Sequence, residues 1–230
     1  QRDHDHGRQR GGGQQLRDRG HGRRGNGGLD RQPTQAHAHL FEARSLAVQR
    51  AVQAYQFFYP TISLEGVFQG IRDADGQDNK GGLLFACGPK NVMFTANSDT
   101  PYMLATLNLK QAGPTVIELP AGPLLGFVND HNFRWIADVG LPGPDAGKGG
   151  KHLILPRDYK GKVPTGYFTS RSATNLIILA ARSIPAGGDL RSALDALRKI
   201  KVYPLSQSAN PATFAFLDKT DQPFDASPLR

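Results

Sequence analysis

The chain has 230 residues, a formal net charge of +8 and a single cysteine, Cys87. This length is sufficient for one or two domains with a real core. One cysteine excludes an intrachain disulfide and any metal site built from several cysteines. The longest apolar run, Leu176–Ala181, is much too short to cross a bilayer, so no membrane span is predicted.

Residues 1–33 form a basic tail that differs from the rest of the chain. The tail contains eight Arg, four Asp and nine Gly, but only two large apolar residues. Such a segment buries too little surface to offset the entropy of ordering it, so residues 1–33 are predicted to be disordered. The composition fits an arginine–glycine RNA-binding arm or a polar linker. The lack of interleaved aromatic residues makes nucleic acid the less favoured partner.

Residues 34–217 are predicted to form the folded domain, which begins with a helical segment over 34–72. Apolar residues recur at spacings of three and four over Leu40–Tyr59, as in an amphipathic helix. Pro60 is expected to end this helix, with a shorter helix following over Leu64–Ile71. The aromatic residues of this segment are expected to lie in the core.

Residues 83–184 predict an antiparallel, immunoglobulin-like β-sandwich. Short β-prone runs alternate with Gly and Pro turns, and no helices alternate with them, which disfavours a doubly wound parallel sheet. An amphipathic helix capped by Asp189 is predicted over 189–202. The fold class is therefore mainly β with flanking helices. The predicted strands are Val92–Ala96, Tyr102–Leu109, Thr115–Leu119, Phe133–Val139, His152–Leu155, Tyr167–Arg171 and Asn175–Arg182.

The polar turn between the first two predicted strands is the first candidate site. Its side chains readily bond to the nearby backbone, and Pro101 fixes its own φ, so a rigid corner is expected. Asn97, Asp99, Thr100 and Tyr102 are candidate pocket residues on this corner. In the alternative interpretation, Asn97 and Asp99 only satisfy backbone donors. In either case Asp99→Ala is expected to destabilise the fold.

The predicted strand over Phe133–Val139 contains the second candidate. Strand alternation places Arg134 and Asp138 on one face and Trp135 on the other. Arg134 and Asp138 are expected to pair, or Arg134 to bind an anionic ligand, so both join the candidate pocket. Trp135 is expected to lie in the core.

A Gly-rich segment, Gly143–Lys151, is the third candidate. Its glycines lack the spacing of a phosphate-binding loop, and no Ser or Thr follows Lys148. It predicts a basic hairpin or a lid that closes over a pocket. The candidate lid residues are Gly143, Asp145, Gly147, Lys148 and Gly149. No sequence motif indicates a metal or a cofactor, so none is predicted.

Several of these segments together resemble the bacterial DUF1254 family. The resemblance covers roughly Val48 to Leu217, and the motifs occur in the family's order. It implies a domain of unestablished activity, often exported to the periplasm or secreted, and usually followed by a second β-rich domain of the DUF1214 family. The motifs are Asn97-Ser98-Asp99-Thr100-Pro101-Tyr102, Gly113-Pro114, Asp138-Val139-Gly140-Leu141-Pro142-Gly143-Pro144 and Leu153-Ile154-Leu155-Pro156.

Two functions stay open at this point. In the first, the chain is a non-catalytic fragment of a larger protein and binds a small molecule or a partner. In the second, it supplies half of a hydrolase or lyase site that the missing C-terminal domain completes, which requires Asp99 and Arg134 to share one cleft. Residues 218–230 have the composition of a linker to that domain. A chain that is one of two domains is also expected to expose a sizeable apolar patch.

Overall fold

The computed structural model of the chain describes residues 34–93 and 95–228. The predicted disorder of residues 1–33 lies outside this range. The chain divides into two compact units, Gln1–Ala47 and Val48–Arg230. In the first unit, the described residues after Thr34 form the beginning of the first helix, and every strand found among the described residues lies in the second unit.

The described residues form a β-rich fold with a long N-terminal helix and a later helix, which confirms the predicted class. The α-helices are α1 (Gln35–Asp73), α2 (Leu109–Ala112) and α3 (Leu190–Arg198), and short 3-10 turns lie at Ala186–Gly188 and Leu205–Gln207. The strands are β1 (Gly81–Ala86), β2 (Asn91–Met93), β3 (Pro101–Asn108), β4 (Thr115–Leu119), β5 (Leu124–Asp130), β6 (Trp135–Gly140), β7 (Gly150–Leu155), β8 (Phe168–Arg171), β9 (Leu176–Ser183), β10 (Lys201–Pro204), β11 (Ala215–Asp218) and β12 (Phe224–Ala226).

These strands form three sheets. The largest has six strands in the order β11-β1-β3-β9-β5-β6, the second has four in the order β10-β4-β7-β8, and β12 pairs with β2. Most pairs are antiparallel, as predicted, but β1–β11, β7–β8 and β2–β12 are parallel. The sequence pattern identifies strands but not their partners, so these parallel pairs were not predicted.

The six-stranded sheet is the middle layer of the second unit. Consecutive residues of β3 point to opposite faces, so Met103 and Leu104 belong to different apolar clusters. The Met103 cluster includes Ile154 of the four-stranded sheet and Leu197 of α3. The Leu104 cluster includes Phe68 of α1. The sheet is therefore covered by a second sheet and α3 on one face, and by the C-terminal part of α1 on the other.

Helix α1 runs without interruption through Pro60, so the prediction that it ends there is wrong. Proline has a φ compatible with a helix, and its cost is a lost hydrogen bond and a ring clash rather than an obligatory stop. Burial is confined to the C-terminal part, where Leu64, Val67, Phe68 and Ile71 are fully buried. The C-terminal part is also held by Glu65, which bonds His131 at 2.8 Å.

The aromatic residues of α1 do not all enter the core. Phe68 is buried as expected, but Tyr55, Phe57, Phe58 and Tyr59 are 41–76% exposed. The helical periodicity was correctly recognised in the sequence, yet it indicates only that one face is apolar. It does not show whether the chain itself covers that face.

The segment predicted to be a linker, 218–230, is part of the fold as far as residue 228. Phe224 begins β12, is 7% exposed and packs edge-on against Phe85 at 4.7 Å between ring centroids. These residues are therefore packed in the described fold, and a connection from them to a further domain stays a prediction. Polar composition concealed a three-residue strand whose two buried side chains, Phe224 and Ala226, close the α1 side of the core.

Close packing between α1 and β12 depends on Gly70. A Cβ atom at Gly70 would lie 2.1 Å from the carbonyl oxygen of Asp225 and 2.5 Å from the Cα of Ala226. Both atoms belong to the backbone, which cannot rotate away. Glycine therefore allows the helix to approach the strand at this point.

The predicted C-terminal helix is confirmed with a shorter extent. α3 ends at Arg198, and the Asp189 carboxylate accepts hydrogen bonds from the backbone of Arg191 and Ser192, at 3.1 Å each. This is the expected N-cap geometry. The chain then enters β10 at Lys201 instead of continuing the helix.

Candidate functional site

A cavity of about 330 Å³ lies on the face of the six-stranded sheet that α1 partly covers. Its wall is mostly apolar, with Leu125, Phe127 and Ala180 among the lining residues. The polar side chains at the cavity belong to Thr95, Tyr102, Asp138 and Arg182. Two of the predicted pocket residues, Tyr102 and Asp138, are therefore brought together by the fold.

Strand register fixes the spacing of the polar groups. Tyr102 on β3 lies directly opposite Arg182 on β9, so their side chains are cross-strand neighbours. Asp138 on β6 lies opposite Phe127 on β5, and β5 separates it from β9. Asp138 is two strand spacings from β9 and lies level with Ala180, two residues before Arg182, so the backbones of Asp138 and Arg182 are about 12 Å apart. Leu125 and Phe127 lie between these charges.

The Tyr102 hydroxyl is held by the polar corner. Its oxygen accepts hydrogen bonds from the Asn97 backbone N–H at 3.2 Å and from Asn97 Nδ2 at 2.9 Å. A phenol oxygen that accepts two bonds still has its own proton to donate. The corner therefore positions a hydrogen-bond donor at the cavity.

Asn97 is also the residue that closes the turn. Its Oδ1 accepts from the backbone N–H of Asp99 at 2.9 Å and of Thr100 at 3.2 Å, and Thr100 Oγ1 lies 3.4 Å away. This is an Asx-type turn. The Asp99 side chain is exposed and has no hydrogen bond within the described residues. The predicted capping role thus belongs to Asn97.

Asp138 and Arg182 are the two charged groups at the cavity. Asp138 is half-buried and Arg182 is exposed. Within residues 34–93 and 95–228, neither side chain has a hydrogen bond or an ion pair. A half-buried carboxylate without a partner is costly to desolvate. These groups are therefore available to a ligand.

Arg134 lies elsewhere, and its predicted pairing with Asp138 is wrong. Its Nε and Nη2 both bond Asp130 Oδ2 at 2.9 Å. Neither Arg134 nor Asp99 lines the cavity, so the shared cleft that the enzyme interpretation requires is not formed by this pair. The buried Asp130 carboxylate also accepts from the backbone N–H of Asn132 and Arg134, which makes it the anchor of the β5–β6 turn.

The β5–β6 turn also explains why Trp135 was predicted on the wrong face of the strand. The prediction that Trp135 is in the core is wrong, since it is 67% exposed. The β5–β6 register shifts between Val128 and Asn129, and Phe133 adopts a positive φ of 58° in the turn. A bulge of this kind breaks the strict alternation of faces, so counting from Phe133 gives the wrong side.

The Gly-rich segment is anchored by a buried Asp–His pair. Asp145 Oδ1 accepts from the Gly140 N–H at 2.8 Å and lies 3.0 Å from His152 Nε2. Asp145 is 3% and His152 is 1% exposed. Of this region only Pro142, just before the segment, lines the cavity. The lid residues Gly143, Asp145, Gly147, Lys148 and Gly149 therefore lie outside the cavity wall, and closure over a ligand stays a prediction.

Burial lowers the pKa of His152 below its ordinary value, because the imidazolium would lose its hydration, while the Asp145 carboxylate opposes this shift. The neutral ring then donates its Nε2 proton to Asp145. Asp145 Oδ2 is buried and has no hydrogen-bond partner in the described part of the chain. The sequence analysis missed this pair because its residues are seven positions apart in an unremarkable context.

Two further observations on the described residues concern metal ligands and membrane-spanning helices. No group of three or more His, Cys, Asp or Glu side chains is placed to hold a metal ion. No helix in this part of the chain has the length and apolar character needed to cross a bilayer.

The fold and cavity define a β-rich domain with a small, mostly apolar pocket that carries a few polar side chains, on a sheet partly covered by a helix. The sequence profile of the DUF1254 family, described as a protein of unknown function, matches residues 86–204, and the chain belongs to this family. No match was found among curated proteins.

One solved structure supports the fold. The VPA0106 protein from Vibrio parahaemolyticus is similar over 70% of this chain and 39% of that protein, with 18% identity and a TM-score of 0.54. An uncharacterized protein from Burkholderia cenocepacia matches over 69% of this chain and 44% of its own length, with 14% identity and a TM-score of 0.34. The chain thus corresponds to less than half of either protein.

Proposed function

We propose that this domain binds a small polar ligand in the cavity formed by Tyr102, Asp138 and Arg182. The observation that carries the proposal is the pair of unpartnered charges, Asp138 and Arg182, on either side of an apolar wall. Charged groups that serve only stability are normally paired when they are partly buried. Convergent polar groups in a mainly apolar cavity are typical of ligand sites.

The positions of these groups suggest the chemistry of the ligand. The Arg182 guanidinium and the Tyr102 hydroxyl are neighbours, and together they suit a carboxylate or another anionic oxygen group. The Asp138 carboxylate, whose backbone is about 12 Å from that of Arg182, suits an ammonium or a set of hydroxyl donors. A zwitterionic or hydroxylated acid of modest size fits both ends. The cavity volume of about 330 Å³ is at the lower end of ligand pockets.

The experiment is a calorimetric binding measurement with a panel of zwitterionic, anionic and cationic small molecules. We expect zwitterionic acids to bind most tightly, with Arg182→Gln and Asp138→Asn each weakening binding by about tenfold or more. The matched controls are Arg191→Gln, an exposed arginine on α3, and Asp99→Asn, an exposed aspartate that does not line the cavity. Equal losses in the controls and the pocket variants would refute the site.

A second candidate function, half of a hydrolase or lyase site, rests on the Tyr102 hydroxyl and the Asp138 carboxylate at the same cavity. A held O–H donor and a free carboxylate can act as general acid and base. Turnover measurements on the complete protein distinguish the two functions. If the site is catalytic, Asp138→Asn should abolish turnover even at ligand concentrations that overcome its roughly tenfold weaker binding, whereas a binding module has no turnover to lose.

We also propose two properties of the complete protein, namely a second domain and export. The chain corresponds to 39% of the Vibrio protein, which is compatible with a further domain, and we propose a DUF1214-like domain as that partner. We propose export as well, on the basis of the family resemblance alone. Fractionation of cells that produce the complete protein tests this, and recovery in the cytosol would contradict it.

A further inference from the structure

The cavity floor is deepest at the side chain of Ala180 in β9. Strand register places Ala180 between Leu104 of β3 and Phe127 of β5. All three residues contribute to the apolar cluster on the α1 side of the sheet, so their side chains leave the sheet on the face that carries the cavity. Ala180 lines the cavity and has the smallest of the three side chains. Its methyl group therefore leaves a hollow between two larger neighbours.

Next to Ala180 the cavity reaches the backbone of the sheet. Gly126 and Ala181 are register partners on β5 and β9, and both line the cavity. Gly126 has no side chain, and the methyl group of Ala181 belongs to the apolar cluster on the opposite face. Both strands have a neighbouring strand on each side. The backbone N–H and C=O groups of this part of the floor are therefore taken up by the ladder, and a ligand meets it mainly by van der Waals contact.

Aromatic residues lie on both sides of this hollow. Tyr102 is on β3 and Phe127 is on β5, and β9 runs between these two strands. Both residues line the cavity. The Tyr102 ring stacks on Phe85, with 5.7 Å between the ring centroids and 15° between the planes, which holds the Tyr102 ring in place. A planar apolar group over Ala180 would therefore have an aromatic neighbour on either side.

The charged groups lie at the two ends of the apolar floor. Arg182 is on β9 beside Tyr102. Asp138 is on β6, on the far side of Phe127. The backbones of Asp138 and Arg182 are about 12 Å apart. A ligand that meets both charges therefore carries its anionic group and its donor group at opposite ends of an apolar body.

We propose that the ligand is an aromatic acid with an ammonium or hydroxyl donor at the opposite end of its ring. This inference rests on the ligand site proposed above. The carboxylate meets Arg182 and Tyr102, the ring covers Ala180, and the donor meets Asp138. The cavity volume of about 330 Å³ has room for such a molecule, because an apolar cavity of about 150 Å³ already accommodates benzene. Ala180 is then a specificity-determining residue, since a longer side chain would occupy the place of the ring.

Calorimetry on the full 230-residue chain with three zwitterionic probes tests the inference. The first probe, 4-(aminomethyl)benzoate, has a planar ring between its charged groups. The second, trans-4-(aminomethyl)cyclohexanecarboxylate, keeps the charges at opposite ends of a thicker ring, and the third, free alanine, carries both charges on one carbon atom. We expect the benzoate to bind about fivefold more tightly than the cyclohexane compound, which loses the aromatic contacts. We expect it to bind about tenfold more tightly than alanine, which buries no ring.

The variant Ala180→Val tests the position of the ring. Its two added methyl groups would fill the hollow, so we expect the preference for 4-(aminomethyl)benzoate over alanine to fall from about tenfold to near one. Ala215→Val is the matched control, because it makes the same change at an exposed position of β11 in the same sheet, outside the cavity. Thermal melting shows whether both variants remain folded, and the comparison of probes on the unaltered chain does not depend on either variant.

The outcomes separate this inference from the proposed function. Equal affinity for all three probes, with Arg182→Gln weakening each of them, would leave the ligand site in place and overturn the aromatic class. A preference for the planar probe that survives in a folded Ala180→Val variant would overturn the position of the ring over Ala180. Absence of binding by every probe would overturn the proposed function and this inference with it.

Discussion

Asn97→Ala is the substitution that most sharply separates the roles of neighbouring residues in the polar corner. The Asn97 side chain accepts from the backbone of Asp99 and Thr100 and donates to the Tyr102 hydroxyl. Alanine removes all of these bonds while adding no bulk. We therefore expect both a less stable domain and a less well positioned Tyr102.

The magnitude can be worked from these contacts. Loss of a side chain that caps backbone donors costs about 1 kcal/mol. Loss of the 2.9 Å bond to the half-buried Tyr102 hydroxyl adds about 1 kcal/mol. A total near 2 kcal/mol lowers the melting temperature of a domain of this size by about 4–8 °C.

The control is Asp99→Ala, two residues away. The Asp99 side chain is exposed and makes no hydrogen bond within the described residues, so the change should stay within about 0.5 kcal/mol. Thermal and urea denaturation of the two variants measure the difference. Equal destabilisation would refute the assignment of the cap to Asn97 and would restore the role that the sequence predicted for Asp99.

Two further predictions concern the packing of α1 and the buried histidine. Gly70→Ala should destabilise the domain by about 2 kcal/mol in urea denaturation, because the new methyl group would overlap the backbone at Asp225. The control Ser45→Ala, at an exposed site of α1, should be near neutral. A stabilised Gly70→Ala variant would contradict the close approach of α1 to β12. The pKa of His152 is lower in the folded state than in the unfolded state. Below about pH 6.5 the unfolded chain therefore binds more protons at this residue than the folded chain does. The free energy of unfolding should consequently decrease as the pH falls below about 6.5. His152→Gln, which keeps an N–H donor, should flatten this part of the urea-midpoint profile, and an unchanged slope would show that other groups cause it.

The fold class was predictable because it depends on local pattern. The helical periodicity of α1 and α3 and seven of the twelve described strands were visible in the sequence, whereas β1, β5, β10, β11 and β12 were not predicted. Pairing was less accessible, because which strands become neighbours depends on contacts distant along the chain. The short strand at Phe224 illustrates this, since its polar surroundings conceal two buried residues.

The site was predictable in part for the same reason. Tyr102 was recognised from turn chemistry and Asp138 from strand alternation, and both reach the cavity. Arg134 was misassigned because the bulge before the β5–β6 turn breaks the alternation. Arg182 was missed, although a charged residue at the end of the apolar run Leu176–Ala181 was a visible signal. Only the register of β9 with β3 shows that Arg182 lies beside Tyr102.

The most direct test of ligand binding at this cavity is a crystal structure of the domain with a zwitterionic acid selected by calorimetry. We expect an anionic oxygen group within hydrogen-bond distance of both the Arg182 guanidinium and Tyr102 Oη, with the cationic end directed to Asp138. A ligand bound outside the cavity, or bound within it with its anionic group directed away from Arg182 and Tyr102, would contradict the proposed binding mode.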